Sequence, residues 1–226
     1  MHGYLSSYKS FYNQIKFFGR DFEVAGLDLK GFGDNAVMEQ PYSLGDYVEE
    51  VKEFMYKNGI EKPSVIAHSF GARIALKAAS CDKDLFGKLV FTGAAGLKPK
   101  VTFRKAVKKT VFSVLKKFVP KEKLSLFYSK DYNALSPVMR ESFIKIVNEH
   151  LDDRLKFIEN PTLIINGKKD KETPPYMAKR LKAGIKNSKL VFIENAGHFC
   201  FIDAPAKFNS EVKEFLLENY VSDRYR

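Results

Sequence analysis

The sequence predicts an α/β protein built on a mostly parallel sheet flanked by helices. Three observations carry that expectation. Short apolar runs alternate with amphipathic stretches along the 226 residues, which is the order of a parallel sheet covered on both faces. No internal repeat, low-complexity tract or linker interrupts them. Hydrophobic residues make up 45% of the chain, enough for a real core, so one domain with an insertion is the expected organisation.

In chain order, residues 1–7 read as a loop, and Tyr8, Phe11, Tyr12, Ile15 and Phe18 follow at helical spacing. Residues 22–28 alternate and then run apolar, which predicts a strand ending at Asp28. The segment 28–35, with Gly31 and Gly33, is a turn; it lacks the Lys-Ser pair of a phosphate-binding loop and the spacing of a dinucleotide motif. Ser43 precedes Leu44, Val48, Val51, Phe54 and Met55, a capped amphipathic helix closed by Asn58-Gly59. Further strands are expected at 64–67, 88–93, 161–166 and 189–194, each followed by helical sequence. Residues 97–155 carry no strand signal and read as a helical insertion. Within it, 101–119 places Val107, Val111, Val114, Leu115 and Phe118 on one face and lysines on the other. A second helix is expected from Met139 to Leu151, with Phe143, Ile144 and Val147 inward. Residues 208–220 predict a terminal helix.

Charge is concentrated. Between Lys98 and Lys130 stand eleven Lys or Arg and one acid, Glu122, within a net charge of +11 for the whole chain. A solvated face of the insertion is the expected role of that segment. Contact of helix 101–119 with an anionic membrane surface is the alternative, and no nucleic-acid-binding module is present. No apolar run reaches the roughly 18 residues that a membrane helix needs. No basic-then-apolar leader opens the chain, and Cys81 and Cys200 form no disulfide framework. Both read as buried thiols in a cytoplasmic protein. No His, Cys, Asp or Glu cluster has metal-ligand spacing, so neither metal nor cofactor is expected.

The chemistry-bearing stretch is Ala67-His68-Ser69-Phe70-Gly71, where the strand 64–67 turns into a helix. A serine at such a turn is lifted out of the sheet beside the backbone N–H groups of the helix start, which suits a developing oxyanion. The same serine could simply cap the helix. A nucleophilic serine needs a base, and the base needs an orienting acid. His68 adjoins Ser69 and points elsewhere, His150 lies at a helix end and His2 at the terminus. His198 follows the strand 189–194 in Asn195-Ala196-Gly197-His198, and Asp170 follows the strand 161–166. Taken alone, each reads first as an exposed loop residue, the commoner fate of such a side chain. All three candidates stand at the C-terminal ends of strands, the edge at which parallel sheets bind ligands.

His2-Gly3, the turn Asp28-Leu29-Lys30-Gly31-Phe32-Gly33, the serine elbow, Gly167-Lys168-Lys169-Asp170 and Gly197-His198 occur in the order and spacing of the α/β-hydrolase superfamily. Across nearly its whole length the chain resembles the bacterial branch that holds carboxylesterases and carbon–carbon bond hydrolases with a helical lid. The resemblance implies a core of 1–96 and 156–226 and a lid of 97–155. It implies Ser69 as nucleophile, His198 as base, Asp170 as orienting acid, and the N–H groups of Phe70 and Tyr4 as oxyanion donors. His198 is then expected within hydrogen-bond reach of both Ser69 and Asp170. The implied substrate is a small-molecule ester or related carbonyl compound; carbon–carbon hydrolysis and a non-catalytic binding or scaffold protein on the same fold are the alternatives. Two departures stand out. Ala67 replaces a glycine. His2-Gly3 opens the chain, whereas family members reach that loop from a strand lying beside the nucleophile strand. The expected sheet is therefore shortened at its N-terminal side, with five parallel strands. The further expectations are that Met1 is internal to a longer protein and that this chain is weakly active or poorly soluble.

Overall fold

A computed structural model describes residues 1–100 and 134–218. The sheet has four strands in the order β1-β2-β3-β4, all parallel: β1 (Val65–His68), β2 (Leu89–Thr92), β3 (Thr162–Gly167) and β4 (Ser188–Ile193). Val65 pairs with Leu89, Leu89 with Thr162 and Thr162 with Ser188, so the strands start level and their C-terminal ends share one edge. Along β2 the side chains alternate between two cores. Leu89 and Phe91 join the face covered by α2 (Leu44–Lys57), α3 (Phe70–Cys81) and the later helix Pro175–Gly184. Val90 joins the face covered by α1 (Tyr12–Phe18) and the terminal helix Pro205–Leu217. A 3-10 turn, Tyr8–Phe11, precedes α1. Ser43 caps α2 as its sequence predicts: its hydroxyl accepts from Asp46 N–H, and the Asp46 carboxylate accepts from Ser43 N–H at 2.6 Å.

The expected strand at 22–28 is absent, and the sheet has four strands rather than five. The alternating pattern is there, but a strand forms only against a neighbour that completes its ladder, and none adjoins this segment. Residues 23–26 are instead exposed. Among the described residues, the edge of β1 is met only by the first residues of the chain. The Met1 amine donates to Ile66 O at 2.7 Å, His68 N–H donates to Met1 O at 3.0 Å, and Gly71 N–H donates to His2 O at 3.0 Å. A Cβ on Gly71 would lie 2.6 Å from Met1 O, so only glycine lets residues 1–2 cross the start of α3. Beside the rest of that edge lies a groove of about 640 Å³, lined by Phe18, Phe22, Leu27, Val51, Val65 and Ile66 among others.

Of the expected lid, residues 101–133, including helix 101–119 with most of the basic segment, lie outside the described residues. The remainder forms α4 (Pro137–Asn148), capped by Ser136, and a 3-10 segment, Asp152–Phe157. The buried stripe of α4 is Met139, Ser142 and Ile146, while Ile144 is exposed. The inward placement of Ile144 is thus corrected: the stripe follows Ser142, whose hydroxyl accepts from Tyr42 N–H at 2.8 Å and donates to Val138 O. Cys81, at the last turn of α3, is exposed rather than buried; Cys200 is buried. After β3, α5 spans Pro175–Gly184; after β4, the short α6 (Cys200–Asp203) leads into α7, the terminal helix Pro205–Leu217.

Candidate active site

Ser69 joins β1 to α3 with φ 49° and ψ −105°, a left-handed conformation that a side chain rarely adopts. The turn is held from both sides. Ser69 N–H donates to Thr92 O at 3.0 Å, and Ser69 O accepts from Ala95 N–H at 3.2 Å and Arg73 N–H at 3.1 Å. Phe70 is the first residue of α3, so its N–H has no acceptor within the helix. Facing it, Tyr4 stands in the turn after His2-Gly3. Its ring lies edge-on to Phe32, Phe70 and Phe143.

That turn is anchored from below. Leu29 N–H donates to His2 Nε2 at 3.0 Å, so the proton of the buried ring is on Nδ1, which donates to Gly3 O at 2.7 Å. Burial holds the His2 pKa below the ordinary histidine value. Asp28 ties the following loop by accepting from Tyr8 N–H and Asp34 N–H.

Asp170 and His198 meet across the ends of β3 and β4. His198 Nδ1 donates to Asp170 Oδ2 at 2.9 Å, and both residues are buried. Asp170 Oδ1 accepts from the N–H groups of Glu172 and Thr173, each at 2.9 Å, while Thr173 Oγ1 donates to Oδ2 at 2.8 Å. Burial pushes the Asp170 pKa up, but the hydrogen bonds from His198 and Thr173 outweigh it, and the carboxyl titrates below its usual range. An ionised acceptor keeps the imidazole proton on Nδ1 and leaves the Nε2 lone pair outward.

The structure thus brings Asp170 to His198, the contact that the resemblance implied. It does not join His198 to Ser69: among the described residues no hydrogen bond links them. Nε2 lies instead 3.4 Å from Glu172 Oε2, the carboxylate of an exposed side chain. Three neighbours of the site escaped the sequence reading. Thr173 had a usable signal, the Asp-x-x-Thr spacing of a side-chain-capped turn. Glu172 had none. His68, set aside as a base, is buried and bonded to the His198 loop: its Nε2 lies 3.1 Å from His198 O.

Ser69, Phe70 and Tyr4 stand around β1, and the Asp170–His198 pair stands at β3 and β4, all at one edge of the sheet. The family described as the alpha/beta hydrolase fold matches residues 1–119 and 114–205. The chain belongs to the α/β-hydrolase family. It is 28% identical over 244 residues to the AB hydrolase superfamily protein YisY of Bacillus subtilis, covering 95% of this chain and 89% of that one. It is 24% identical over 219 residues to 2-hydroxymuconate semialdehyde hydrolase of Pseudomonas putida, covering 86% and 77%. The fold also matches that of the esterase EaEST from Exiguobacterium antarcticum, at 23% identity and a TM-score of 0.76 over 96% of this chain and 90% of that one. A hydrolase fold implies a small-molecule substrate. Among the described residues no cluster of three or more His, Cys, Asp or Glu could hold a metal ion, and no helix is long and apolar enough to cross a membrane.

Proposed function

We propose that this α/β-hydrolase cleaves a carboxylic ester or related carbonyl compound through Ser69, His198 and Asp170. The observation that carries the reading is the buried 2.9 Å His198–Asp170 hydrogen bond at the same sheet edge as the strained Ser69 turn. Asp170 holds the Nδ1–H tautomer, so Nε2 is the atom free to take a proton. As Ser69 Oγ attacks the carbonyl carbon, its proton passes to Nε2. The oxygen that gains charge is met by the N–H groups of Phe70 and Tyr4. The imidazolium returns the proton to the leaving oxygen, whose bond to carbon breaks and leaves an acyl group on Ser69. Water, deprotonated by the same Nε2, then releases the acid.

The relative from Pseudomonas putida supports a second reading, in which the broken bond is carbon–carbon. The triad is then the same, and the leaving group is a stabilised carbanion protonated from His198. The two free cysteines, Cys81 and Cys200, suit a reducing cytoplasm in either case.

The test is labelling with a fluorophosphonate, which reacts with an activated serine. Wild type is expected to label and Ser69→Ala is not. A well-folded wild type that takes no label sinks the hydrolase reading in favour of a binding or scaffold role. A set of p-nitrophenyl esters run beside a vinylogous diketone then separates ester from carbon–carbon cleavage.

A further inference from the structure

His68 is a buried ionisable side chain that the reaction above does not use. It is the last residue of β1, immediately before the nucleophile. Its ring lies between two parts of the site that come from opposite ends of the chain. On one side is the turn leading to Tyr4: a Cβ on Gly3 would come within 2.8 Å of His68 Nδ1, so the ring rests directly on that backbone. On the other side is the loop of His198. His68 Nε2 is 3.1 Å from His198 O, the two imidazole rings are 4.6 Å apart, and Phe199 and Phe201 close over the His68 ring at 4.9 and 5.0 Å.

A carbonyl oxygen only accepts, so Nε2 must carry the proton and donate it. Burial, reinforced by the neighbouring His198, holds the His68 pKa down to about 3, which keeps the ring neutral and its donor in one place. Among the described residues no other hydrogen bond reaches His198 O, and residue 198 sits in a loop after β4 with no ladder of its own.

We infer that His68 is a positioning residue: its Nε2–H fixes the main chain of His198. Asp170 orients the His198 imidazole about its own side-chain bonds. His68 sets where the backbone that carries the imidazole stands. One hydrogen bond thereby holds the base in register with Ser69. This rests on the proposed hydrolase reading, since it assigns His68 a duty toward that site.

The experiment compares two variants. His68→Phe keeps a ring of similar size and loses the donor. His68→Gln loses the ring and keeps an N–H that reaches a similar point. A misplacement on the scale of 1 Å costs about 100-fold in rate. The expected result for H68F is a kcat on p-nitrophenyl acetate lower by roughly 10- to 100-fold, with KM within about 3-fold of wild type and an unchanged melting temperature. H68Q should recover most of the lost kcat. A purely structural role predicts the opposite order, because the ring-retaining variant would be the better enzyme, and that result overturns the inference. So does a wild-type kcat in H68F. If H68F does not fold, H68Q is compared with His68→Asn, whose amide reaches less far, and Gln is expected to be the faster; equal rates overturn the inference.

A second measurement needs no substrate. The ¹⁵N spectrum of the His198 ring should show one Nδ1–H form in wild type and H68Q, and a mixed or displaced signal in H68F. If wild type proves not to hydrolyse anything, the functional reading falls, and the His198 spectrum still decides whether His68 positions that ring. An unaltered spectrum in H68F refutes it.

Discussion

The C-terminal ends of the strands and the outer edge of β1 belong to one small sheet but are finished in different ways. At the strand ends the polar groups have partners on several sides. Asp170 alone takes hydrogen bonds from four donors: Glu172 N–H, Thr173 N–H, the Thr173 hydroxyl and His198 Nδ1. Along the edge of β1 the only backbone partner among the described residues is Met1, and beyond it lies the groove between Ile66 and Leu27. The contrast separates two requirements that a catalytic fold must meet. Geometry at the strand ends is over-determined by local loops. Sheet continuity depends on the chain supplying a neighbour for each strand.

Substitutions on the two sides should therefore fail differently. The largest effect is expected from Asp170→Asn. The amide cannot hold the Nδ1–H tautomer, and kcat on p-nitrophenyl acetate should fall by about 10⁴-fold. The fold should persist, as a thermal melt would show. If D170N melts far below wild type with kcat little changed, the strand ends are a structural cluster and the comparison breaks. A middling effect is expected on the other side. Gly71→Ala puts a methyl group against Met1 O and His2 O and should push residues 1–2 off the β1 edge. Overpacking of this kind costs about 1–3 kcal/mol, to be read from urea unfolding of both proteins. A G71A protein as stable as wild type would show that residues 1–2 contribute little to that edge.

The smallest effect concerns Glu50 on α2, which ties down the loop between the two regions by accepting from Lys30 N–H and Asn35 Nδ2. Burial raises its pKa to about 7, against 4.5 ordinarily. Between those values the folded protein holds a proton that the unfolded chain has released. The contribution of Glu50 to stability is therefore full below about pH 4.5 and declines as pH rises toward 7. Glu50→Gln should flatten this part of the stability–pH curve, measured by urea melts from pH 4 to 8. An identical curve in E50Q would remove Glu50 as its source.

The same division governs what could be read from the sequence. β1 to β4 were legible because each is a short apolar run, and Ser69, Asp170 and His198 were legible as candidates because each stands just past one. Residues 22–28 misled because alternation reports a strand's faces and says nothing of its neighbours. Ile144 misled because an apolar residue on a short helix need not face inward, whereas a serine with two backbone partners can. Glu172 and His68 were not legible in their roles, since each depends on where a loop from another strand folds back: Glu172 meets the His198 ring, and His68 meets the His198 carbonyl.

The hydrogen bonds of β1 also set how fast its amides trade protons with water. Val65 and Ser69 donate toward β2, to Lys88 O and Thr92 O. Period-two alternation turns the N–H groups of Ile66 and His68 the opposite way. His68 N–H finds Met1 O, while Ile66 N–H faces the groove. Two residues apart on one four-residue strand, these amides belong to different exchange classes. In deuterated buffer, Ile66 should exchange through small local openings, and the amides of the central strands β2 and β3 only through much larger ones. A chain segment that came to lie in the groove would announce itself first as slowed exchange at Ile66, before any change at Ser69.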